Sequence, residues 1–195
     1  MAKIYVIMGK SSSGKDTVYS KIRNMKELGL KTITMYTTRP MRVGEEEGRE
    51  YFFTDDDAVQ KYAQENRIIE LRAYNTVHGV WKYFTVDDGQ VDKTGNDRYI
   101  IIGTLEAYEK YLEYYGNDII VPIYIEVDDR TRIHRALARE DGESNPKYAE
   151  MCRRFLADEE DFSEDKLHKA GIVKRYNNVN LSECISNISK DIMEL

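Results

Sequence analysis

Residues 4–17, IYVIMGKSSSGKDT, decide the fold of this chain. The first five form an unbroken apolar run, which is typical of a strand buried on both faces of a parallel sheet. Gly9, Gly14 and Lys15 then have the spacing of a loop that wraps around phosphate groups between a strand and a helix. Glycine lets backbone N–H groups turn inward toward an anion, and the following helix adds the positive end of its dipole. The stretch therefore predicts a nucleotide-phosphate loop.

The predicted phosphate-binding residues of this loop are Gly9, Ser11, Ser12, Ser13, Gly14, Lys15, Asp16 and Thr17. Lys15 is expected to bridge the terminal phosphates of ATP and to follow their charge as it moves. Position 16, where a hydroxyl commonly holds Mg²⁺, carries a carboxylate, which is also a hard oxygen ligand. Two arrangements follow: Asp16 binds the metal directly, or Asp16 faces outward and Thr17 reaches it. The loop thus indicates ATP as substrate and Mg²⁺ as cofactor.

Strand-like and helix-like stretches alternate along the rest of the chain. Apolar runs predict strands at 32–37, 68–74, 81–86, 99–102, 119–127 and 172–176. Helical patterns extend from the loop to residue 28 and recur at 55–65, 108–115, 128–139, 147–164 and 181–195. This alternation predicts an α/β fold whose parallel sheet is flanked by helices.

The composition narrows the function classes. The chain has 195 residues, of which 41% are hydrophobic and 33% charged, as in a globular domain. Its net charge of −6 argues against a general nucleic-acid binder, which needs an excess of cations. The first apolar run is too short for a signal peptide or a membrane span. Cys152 and Cys184 lack metal-ligand spacing and are expected to stay reduced, as in a cytoplasmic protein.

A second motif, TTRPMRVGEEEGREYFF, occupies residues 37–53. Arg39 and Arg42 beside a glycine turn can clamp an anion with paired hydrogen bonds. The hydroxyl of Tyr51 can add a neutral donor to the same anion. From the residues alone, the segment is either a second phosphate site or a solvated run of charges.

Together with the phosphate loop, this segment closely resembles guanylate kinase. That family carries the signature T-T-R-x-x-R-x-G-E-x-x-G-x-x-Y-x-F, and each fixed position is matched here. The resemblance implies a P-loop NTPase core, and it implies that Arg39, Arg42 and Tyr51 hold the α-phosphate of GMP. It also implies that Glu45 orients this clamp and that Glu70 accepts hydrogen bonds from guanine N1 and N2.

The resemblance extends more loosely over the remaining chain. It implies a core of residues 1–32, 92–135 and 151–195, a small β-rich insertion that binds the nucleoside monophosphate at 33–91, and a helical lid at 136–150. Asn178 resembles a residue near the base of the donor nucleotide. The catalytic residues implied are Lys15, Arg39, Arg139 and Arg154.

Two elements of the family lack a clean counterpart. One is a Tyr-Gly-Ser/Thr element that donates to the acceptor phosphate and to guanine O6. Residues 78–80 contain the glycine but lack the hydroxyl groups, whereas Tyr83 and Thr85 supply the hydroxyl groups without the glycine. The distance to the next core strand favours Tyr83 and Thr85. The other is an acidic strand end, which falls on residues 100–104 without a carboxylate. Asp16 is one candidate to replace that missing carboxylate.

The function expected is a nucleoside monophosphate kinase that converts ATP and GMP to ADP and GDP. Its partners would be these small nucleotides, with no nucleic acid and no membrane, and the sequence leaves its oligomeric state open. One alternative is the same reaction on another nucleoside or deoxynucleoside monophosphate. The other is a guanylate-kinase-like module that binds partners without catalysis, which would have no need of Lys15.

Overall fold

A computed structural model describes residues 1–76 and 79–195 of the chain. Strands and helices are interspersed along these residues, with runs of strands (30–53 and 68–102) and of helices (129–169). The strands are β1 (Lys3–Met8), β2 (Leu30–Thr32), β3 (Tyr36–Thr37), β4 (Phe52–Phe53), β5 (Ile68–Thr76), β6 (Gly79–Val86), β7 (Arg98–Ile102), β8 (Ile120–Glu126) and β9 (Arg175–Asn177). The helices are α1 (Lys15–Arg23), α2 (Asp56–Gln64), α3 (Leu105–Tyr115), α4 (Asp129–Asp141), α5 (Tyr148–Asp161), α6 (Glu164–Lys169) and α7 (Leu181–Glu194).

The main sheet is parallel throughout, with the strand order β2-β7-β1-β8-β9. Alternate side chains of its central strand β1 point to opposite faces. Ile4 and Val6 pack in a cluster with residues of α3, whereas Tyr5 and Ile7 pack with residues of α1 and α7. Helices therefore cover both faces, which explains why β1 is a continuous apolar run. The predicted α/β class, with a parallel sheet flanked by helices, is confirmed.

A second, four-stranded sheet has the order β4-β3-β6-β5. β5 and β6 form an antiparallel hairpin whose register shifts between Ile68 and Glu70. The buried residues Val59, Phe84 and Val86 form a small core beneath it. All strands of this sheet come from residues 36–86.

Polar side chains fix where several helices begin. Asp55, Thr104 and Asp128 each accept a hydrogen bond from the backbone N–H three residues later, at the start of α2, α3 and α4. At the start of α7, the Asn180 side chain accepts hydrogen bonds from the backbone N–H groups of Ser182 and Glu183. The predicted starts of α2, α4 and α7 agree with these residues, whereas α3, predicted from residue 108, begins at Leu105 because Thr104 caps it.

Two predicted elements in the first 40 residues extend too far. The helix predicted to reach Leu28 ends at Arg23, because the Asn24 side chain donates to the Ser20 carbonyl oxygen (2.7 Å), and a 3₁₀ helix, Lys26–Leu28, follows. The strand predicted at 32–37 is divided between β2 and β3, which belong to different sheets. Between them, the N–H and C=O groups of Thr34 bond the side chain of Gln90 instead of a neighbouring strand.

Two predicted elements near the end of the chain are also wrong in extent. The helix predicted at 147–164 is interrupted between α5 and α6, where Phe162 leaves the helical conformation and is buried. The strand predicted at 172–176 begins at Arg175 instead. Its start is delayed because the Ile172 N–H still donates to the Leu167 carbonyl oxygen of α6 (2.9 Å).

Candidate functional site

The predicted phosphate loop joins the end of β1 to the start of α1. Gly9 has φ 154° and Gly14 has φ 86°, and Ser12 also has a positive φ of 62°. A Cβ on Gly9 would lie 2.5 Å from the Ile125 carbonyl oxygen, and one on Gly14 would lie 2.4 Å from Nδ2 of Asn178. The loop therefore needs glycine at both positions, for backbone conformation and for space.

The serines of this loop have unused hydrogen-bonding capacity. Ser12 Oγ and Ser13 Oγ are buried and contact no hydrogen-bond partner among the described residues. The Ser13 carbonyl oxygen, in contrast, accepts from Asn178 Nδ2 (2.8 Å) and from Arg135 Nη1 (3.3 Å). Buried hydroxyls without partners are costly, so their presence at a glycine-rich turn is a mark of a ligand-binding loop.

Alanine at position 14 tests the close approach of Asn178. Gly14→Ala is expected to lower the free energy of unfolding by about 2–4 kcal/mol and to weaken ATP binding, because the new Cβ adds a collision to the cost of a positive φ. Gly29→Ala is the matched control, since Gly29 has φ 60° but no atom within 4 Å of its would-be Cβ. Urea unfolding and calorimetric titration with ATP measure both effects. Equal losses in the two variants would show that the collision does not matter.

Arg132 of α4 contacts the phosphate loop, and it was not predicted from the sequence. Its side chain is 1% exposed, and its Nε donates to the Ser11 carbonyl oxygen (3.1 Å). It also forms ion pairs with Asp158 (3.0 Å) and Glu159 (2.7 Å) of α5. Asp158 in turn accepts from the Ser11 N–H (2.8 Å), and Glu159 pairs with Lys10 (2.7 Å). These contacts tie α4 and α5 to the phosphate loop.

The predicted cation and metal residues lie at the start of α1. Lys15 Nζ lies 3.7 Å from Asp16 Oδ2, and the Asp16 side chain is 82% exposed. Thr17 is also exposed. Within the described residues, no group of three or more His, Cys, Asp or Glu side chains could hold a metal ion. The oxygen donors at 16 and 17 fit Mg²⁺ together with phosphate oxygens, because Mg²⁺ in nucleotide sites takes one or two carboxylates and completes its shell with phosphates and waters.

The structure does not bring the two predicted lid arginines to the phosphate loop. The Arg139 side chain is 52% exposed, near the end of α4, and that of Arg154 is 57% exposed and pairs with Glu150 (2.8 Å) on its own helix. The arginines of α4 that do contact the loop are Arg132 and Arg135. One face of α4 carries three arginines at intervals of three and four residues: Arg132, Arg135 and Arg139. This spacing is the sequence signal that could have identified Arg132 and Arg135 as site residues.

The predicted anion clamp lies at one end of the second sheet. Arg39 is 4% exposed, and Glu45 holds its guanidinium with two hydrogen bonds of 2.8 and 2.6 Å. Hydrogen bonds from Arg39, with one from the Arg42 N–H, lower the pKa of Glu45 to about 2, so this carboxylate is ionised at neutral pH. Arg39 also lies over the Tyr51 ring, 5.1 Å from its centroid. The Arg42 side chain is exposed.

Glu70 lies at the other end of the second sheet, with a side chain only 1% exposed. Arg72, two residues later on the same face of β5, forms an ion pair with it. The hydroxyl of Thr85 donates to Glu70 Oε1 (3.0 Å) and lies 2.8 Å from that of Tyr111 in α3. Burial, with the nearby Glu70 charge, raises the pKa of Tyr111 well above its usual value, so its hydroxyl keeps its proton. Arg72 and Tyr111 were not selected from the sequence.

Tyr83 connects the two ends. It pairs across the strands with Arg72 and makes edge-to-face ring contacts with Tyr51 (centroids 5.6 Å apart) and Tyr74 (5.7 Å). The alternative placed on His78 lies outside the described residues. The side chains that lead from the clamp to the buried carboxylate form what we call the second-sheet face: Arg39, Tyr51, Glu70, Arg72, Tyr83 and Thr85.

β7 and α3 link the second-sheet face to the strand that precedes the phosphate loop. β1 and β7 are parallel neighbours, and the Gly103 N–H donates to the Ile7 carbonyl oxygen (3.0 Å). α3 follows β7 and carries Tyr111 to the second-sheet face. Thr104, at the strand end that lacks a carboxylate, uses its hydroxyl to cap α3. Ligands of parallel α/β sheets bind at the carboxyl ends of such strands.

Comparison with known proteins relates the chain to one enzyme family. Residues 1–85 match the family model for guanylate kinase. The chain is 30% identical over 133 residues to a guanylate kinase of Caldanaerobacter subterraneus subsp. tengcongensis, covering 66% of this chain and 63% of that one. It is 29% identical over 126 residues to a guanylate kinase of Mycoplasma mobile, covering 60% of each. The aligned segments thus span less than two thirds of these relatives.

A solved structure resembles the chain over nearly its whole length. The crystal structure of guanylate kinase from Anaplasma phagocytophilum superposes with a TM-score of 0.63 at 21% identity, covering 99% of this chain and 85% of that one. At this identity, the likeness shows the fold. In the described ranges, no helix has the length and apolar character needed to cross a membrane.

Proposed function

Because the chain is a relative of the guanylate kinases, we propose that it transfers the γ-phosphoryl group of ATP to the α-phosphate of GMP. The observation that carries this proposal is the second-sheet face. It leads from a fixed cation at Arg39, past two tyrosine rings, to a buried carboxylate at Glu70. A nucleoside monophosphate has complementary groups in the same order: an anionic phosphate at one end and a base with N–H donors at the other.

We assign the acceptor phosphate to the clamp. Arg39 and Arg42 supply charge, and Glu45 holds Arg39 in place. Burial raises the pKa of Tyr51, so its phenol remains a neutral donor to the same phosphate. At the other end, Glu70 and Thr85 face the base, and Tyr83 lies between the two ends.

We assign the donor ATP to the phosphate loop, with Lys15 at its β- and γ-phosphates and Asn178 on the donor side. The two buried serine hydroxyls suit phosphate oxygens. Asp16 would hold Mg²⁺, with Thr17 as the alternative ligand. When bound, Mg²⁺ neutralises charge on the phosphates.

This phosphoryl transfer depends on the alignment of the two nucleotides and on nearby cations, and it requires no general base. An oxygen of the GMP phosphate attacks the γ-phosphorus, and the bond to the β–γ bridging oxygen breaks, which releases ADP and leaves GDP. The acceptor oxygen is already anionic, so no side chain must remove a proton. Catalysis would come from holding the two phosphates in line among cations and away from water.

We further propose that this alignment requires closure. Residues 33–91 would act as the acceptor-binding insertion and residues 136–150 as a lid on the core of 1–32, 92–135 and 151–195. Arg139 and Arg154 are exposed and lie on either side of the segment after α4. Movement of this segment toward the phosphate loop would add their charge to the transferring group. The reaction would take place in the cytoplasm.

A panel of acceptors tests the proposal. ADP formation from ATP is measured with GMP, dGMP, AMP, CMP and UMP as acceptors. GMP is expected to exceed AMP in kcat/KM by at least about tenfold, because adenine offers an acceptor at N1 to a buried carboxylate. Faster turnover of another monophosphate would refute GMP as the acceptor. No turnover with any of them, together with no ATP binding in calorimetry, would favour a non-catalytic binding module.

A further inference from the structure

Arg132 connects α4 to α5 through its buried guanidinium. This group lies over the Phe155 ring, with Cζ 4.5 Å from the ring centroid, and it forms ion pairs with Asp158 (3.0 Å) and Glu159 (2.7 Å). The three partners follow each other at positions i, i+3 and i+4 of α5, so they share one face of that helix. They form what we call the arginine socket: Phe155, Asp158 and Glu159.

The arginine socket also holds the main chain of the phosphate loop. Arg132 Nε donates to the Ser11 carbonyl oxygen (3.1 Å), and the Ser11 N–H donates to Asp158 Oδ2 (2.8 Å). Glu159 accepts from Lys10 Nζ (2.7 Å). Burial opposes the charge of Glu159, but hydrogen bonds from Lys10 and Arg132 outweigh burial and lower its pKa. Both backbone groups of Ser11 therefore bond to one ion pair, which belongs to α4 and α5.

α5 lacks the buried apolar face that holds other helices in place. None of its 14 residues, all of which the structure describes, is buried. α7 has the same length and buries four residues. A segment with little apolar burial has low local stability, so it can move while the core stays folded. The polar contacts of the arginine socket are therefore the main constraint on how α5 lies against the phosphate loop.

The chemistry of the socket suits the control of position better than the gain of stability. A buried ion pair adds little net stability compared with apolar packing, although removal of one partner is costly. The planar guanidinium of Arg132, in contrast, has several donors in fixed directions. It uses them on the loop and on two carboxylates of α5 at once. A shift of Ser11 is thereby transmitted to α5.

We propose that Arg132 is a positioning residue that couples occupancy of the phosphate loop to the placement of α5 and of Arg154, which α5 carries. Phosphates in the loop give partners to its two buried serine hydroxyls and so fix the loop. A fixed Ser11 holds the Arg132–Asp158 pair, and α5 becomes less mobile. Coupling is reciprocal, so the intact socket also strengthens ATP binding. The inference rests on the proposed function, which assigns Arg154 to the transferring group.

Amide hydrogen exchange of the intact chain, with and without ATP, tests this coupling in the absence of an acceptor. ATP is expected to slow the exchange of residues 148–161 by at least about tenfold in the wild type. Arg132→Met should abolish this slowing and should raise the Kd for ATP in calorimetry by about tenfold. Arg175→Met is the matched control, because Arg175 also pairs with two carboxylates, Glu126 and Glu164, which lie outside α5 and the loop.

Asp158→Asn keeps the test valid if Arg132→Met does not fold. Asp129 and Glu159 still neutralise Arg132 in this variant, and the asparagine oxygen can still accept from the Ser11 N–H. The ion pair between loop, α4 and α5 is lost, so the slowing of exchange by ATP should fall by about fivefold.

A double-mutant cycle separates positioning from stability. At saturating ATP and GMP, Arg132→Met should lower kcat by about tenfold in the wild type and should change it little in an Arg154→Ala background. A residue that only stabilises the fold would have the same effect in both backgrounds. The proposal is refuted if the two effects on kcat are additive, if ATP does not slow the exchange of α5 in the wild type, or if Arg132→Met behaves like Arg175→Met.

The exchange experiment also separates this inference from the proposed function. If ATP slows the exchange of α5 through Arg132 but no monophosphate is phosphorylated, the phosphoryl transfer is refuted and the coupling of loop to helix stands. If GMP is phosphorylated but ATP leaves the exchange of α5 unchanged, the coupling is refuted and the phosphoryl transfer stands.

Discussion

Replacement of Lys15 by alanine is expected to lower kcat by about 100-fold or more while the chain remains folded. Lys15 follows Gly14 at the end of the phosphate loop, and among the residues that the structure describes its amine contacts only the exposed carboxylate of Asp16. Its charge is therefore available to the phosphoryl group, whose negative charge shifts toward the leaving oxygen during transfer. Steady-state kinetics at saturating ATP and GMP measure the loss.

Lys21→Ala is the matched control for this change. Lys21 lies in the last turn of the same helix and is exposed, so its removal tests whether any lysine of α1 matters. Its kcat should equal that of the wild type. A folded Lys15→Ala enzyme with near-normal turnover would contradict the kinase proposal itself.

Replacement of Arg42 by alanine is expected to raise the KM for the monophosphate by about 10- to 100-fold and to leave the KM for ATP nearly unchanged. Arg42 contributes to the clamp in two ways. Its backbone N–H donates to Glu45 Oε2 (2.8 Å), and alanine keeps this bond. Its guanidinium is exposed, so only the charge offered to a ligand is removed. Initial rates with one substrate varied at a time separate the two KM values.

Arg49→Ala supplies the comparison for the clamp. Arg49 lies in the same loop, but its guanidinium is engaged by Glu46 and Glu50 (2.6 Å each). This variant should keep both KM values. An Arg42→Ala enzyme whose two KM values rose equally would show that Arg42 is not an acceptor residue.

The elements that the sequence predicted well are those whose signal is local. The phosphate loop follows from the spacing of Gly9, Gly14 and Lys15, because backbone conformation and close approach both require glycine there. Helix starts followed from single capping residues such as Asp128. The division of residues 32–37 between two sheets could not be predicted, since it depends on Gln90, which lies far along the chain and satisfies Thr34.

The candidate site was less predictable than the fold because its contacts depend on tertiary packing. The resemblance indicated Glu70, but it gave no reason to connect Arg72 with the same site. That connection depends on the strand register, which shifts just before Glu70, and on burial of both side chains. Arg154 shows the opposite case: it was predicted by spacing, and in the structure it pairs with Glu150 on the surface of α5. Its role stays a prediction that requires closure.

The position of β1 in the main sheet has a consequence for how the protein is made. β1 is paired only with β7 and β8 among the described residues, and both strands lie beyond residue 97. Folding during synthesis proceeds from the N-terminus, and pairings between distant segments form slowly. The nascent segment of residues 1–85 therefore leaves the ribosome with its central strand unpaired and apolar. The Ser13 carbonyl oxygen of the phosphate loop accepts from Asn178, so the loop completes its contacts only after residue 178 has been translated. The segment with the clearest sequence signal is therefore among the last to gain all of its contacts.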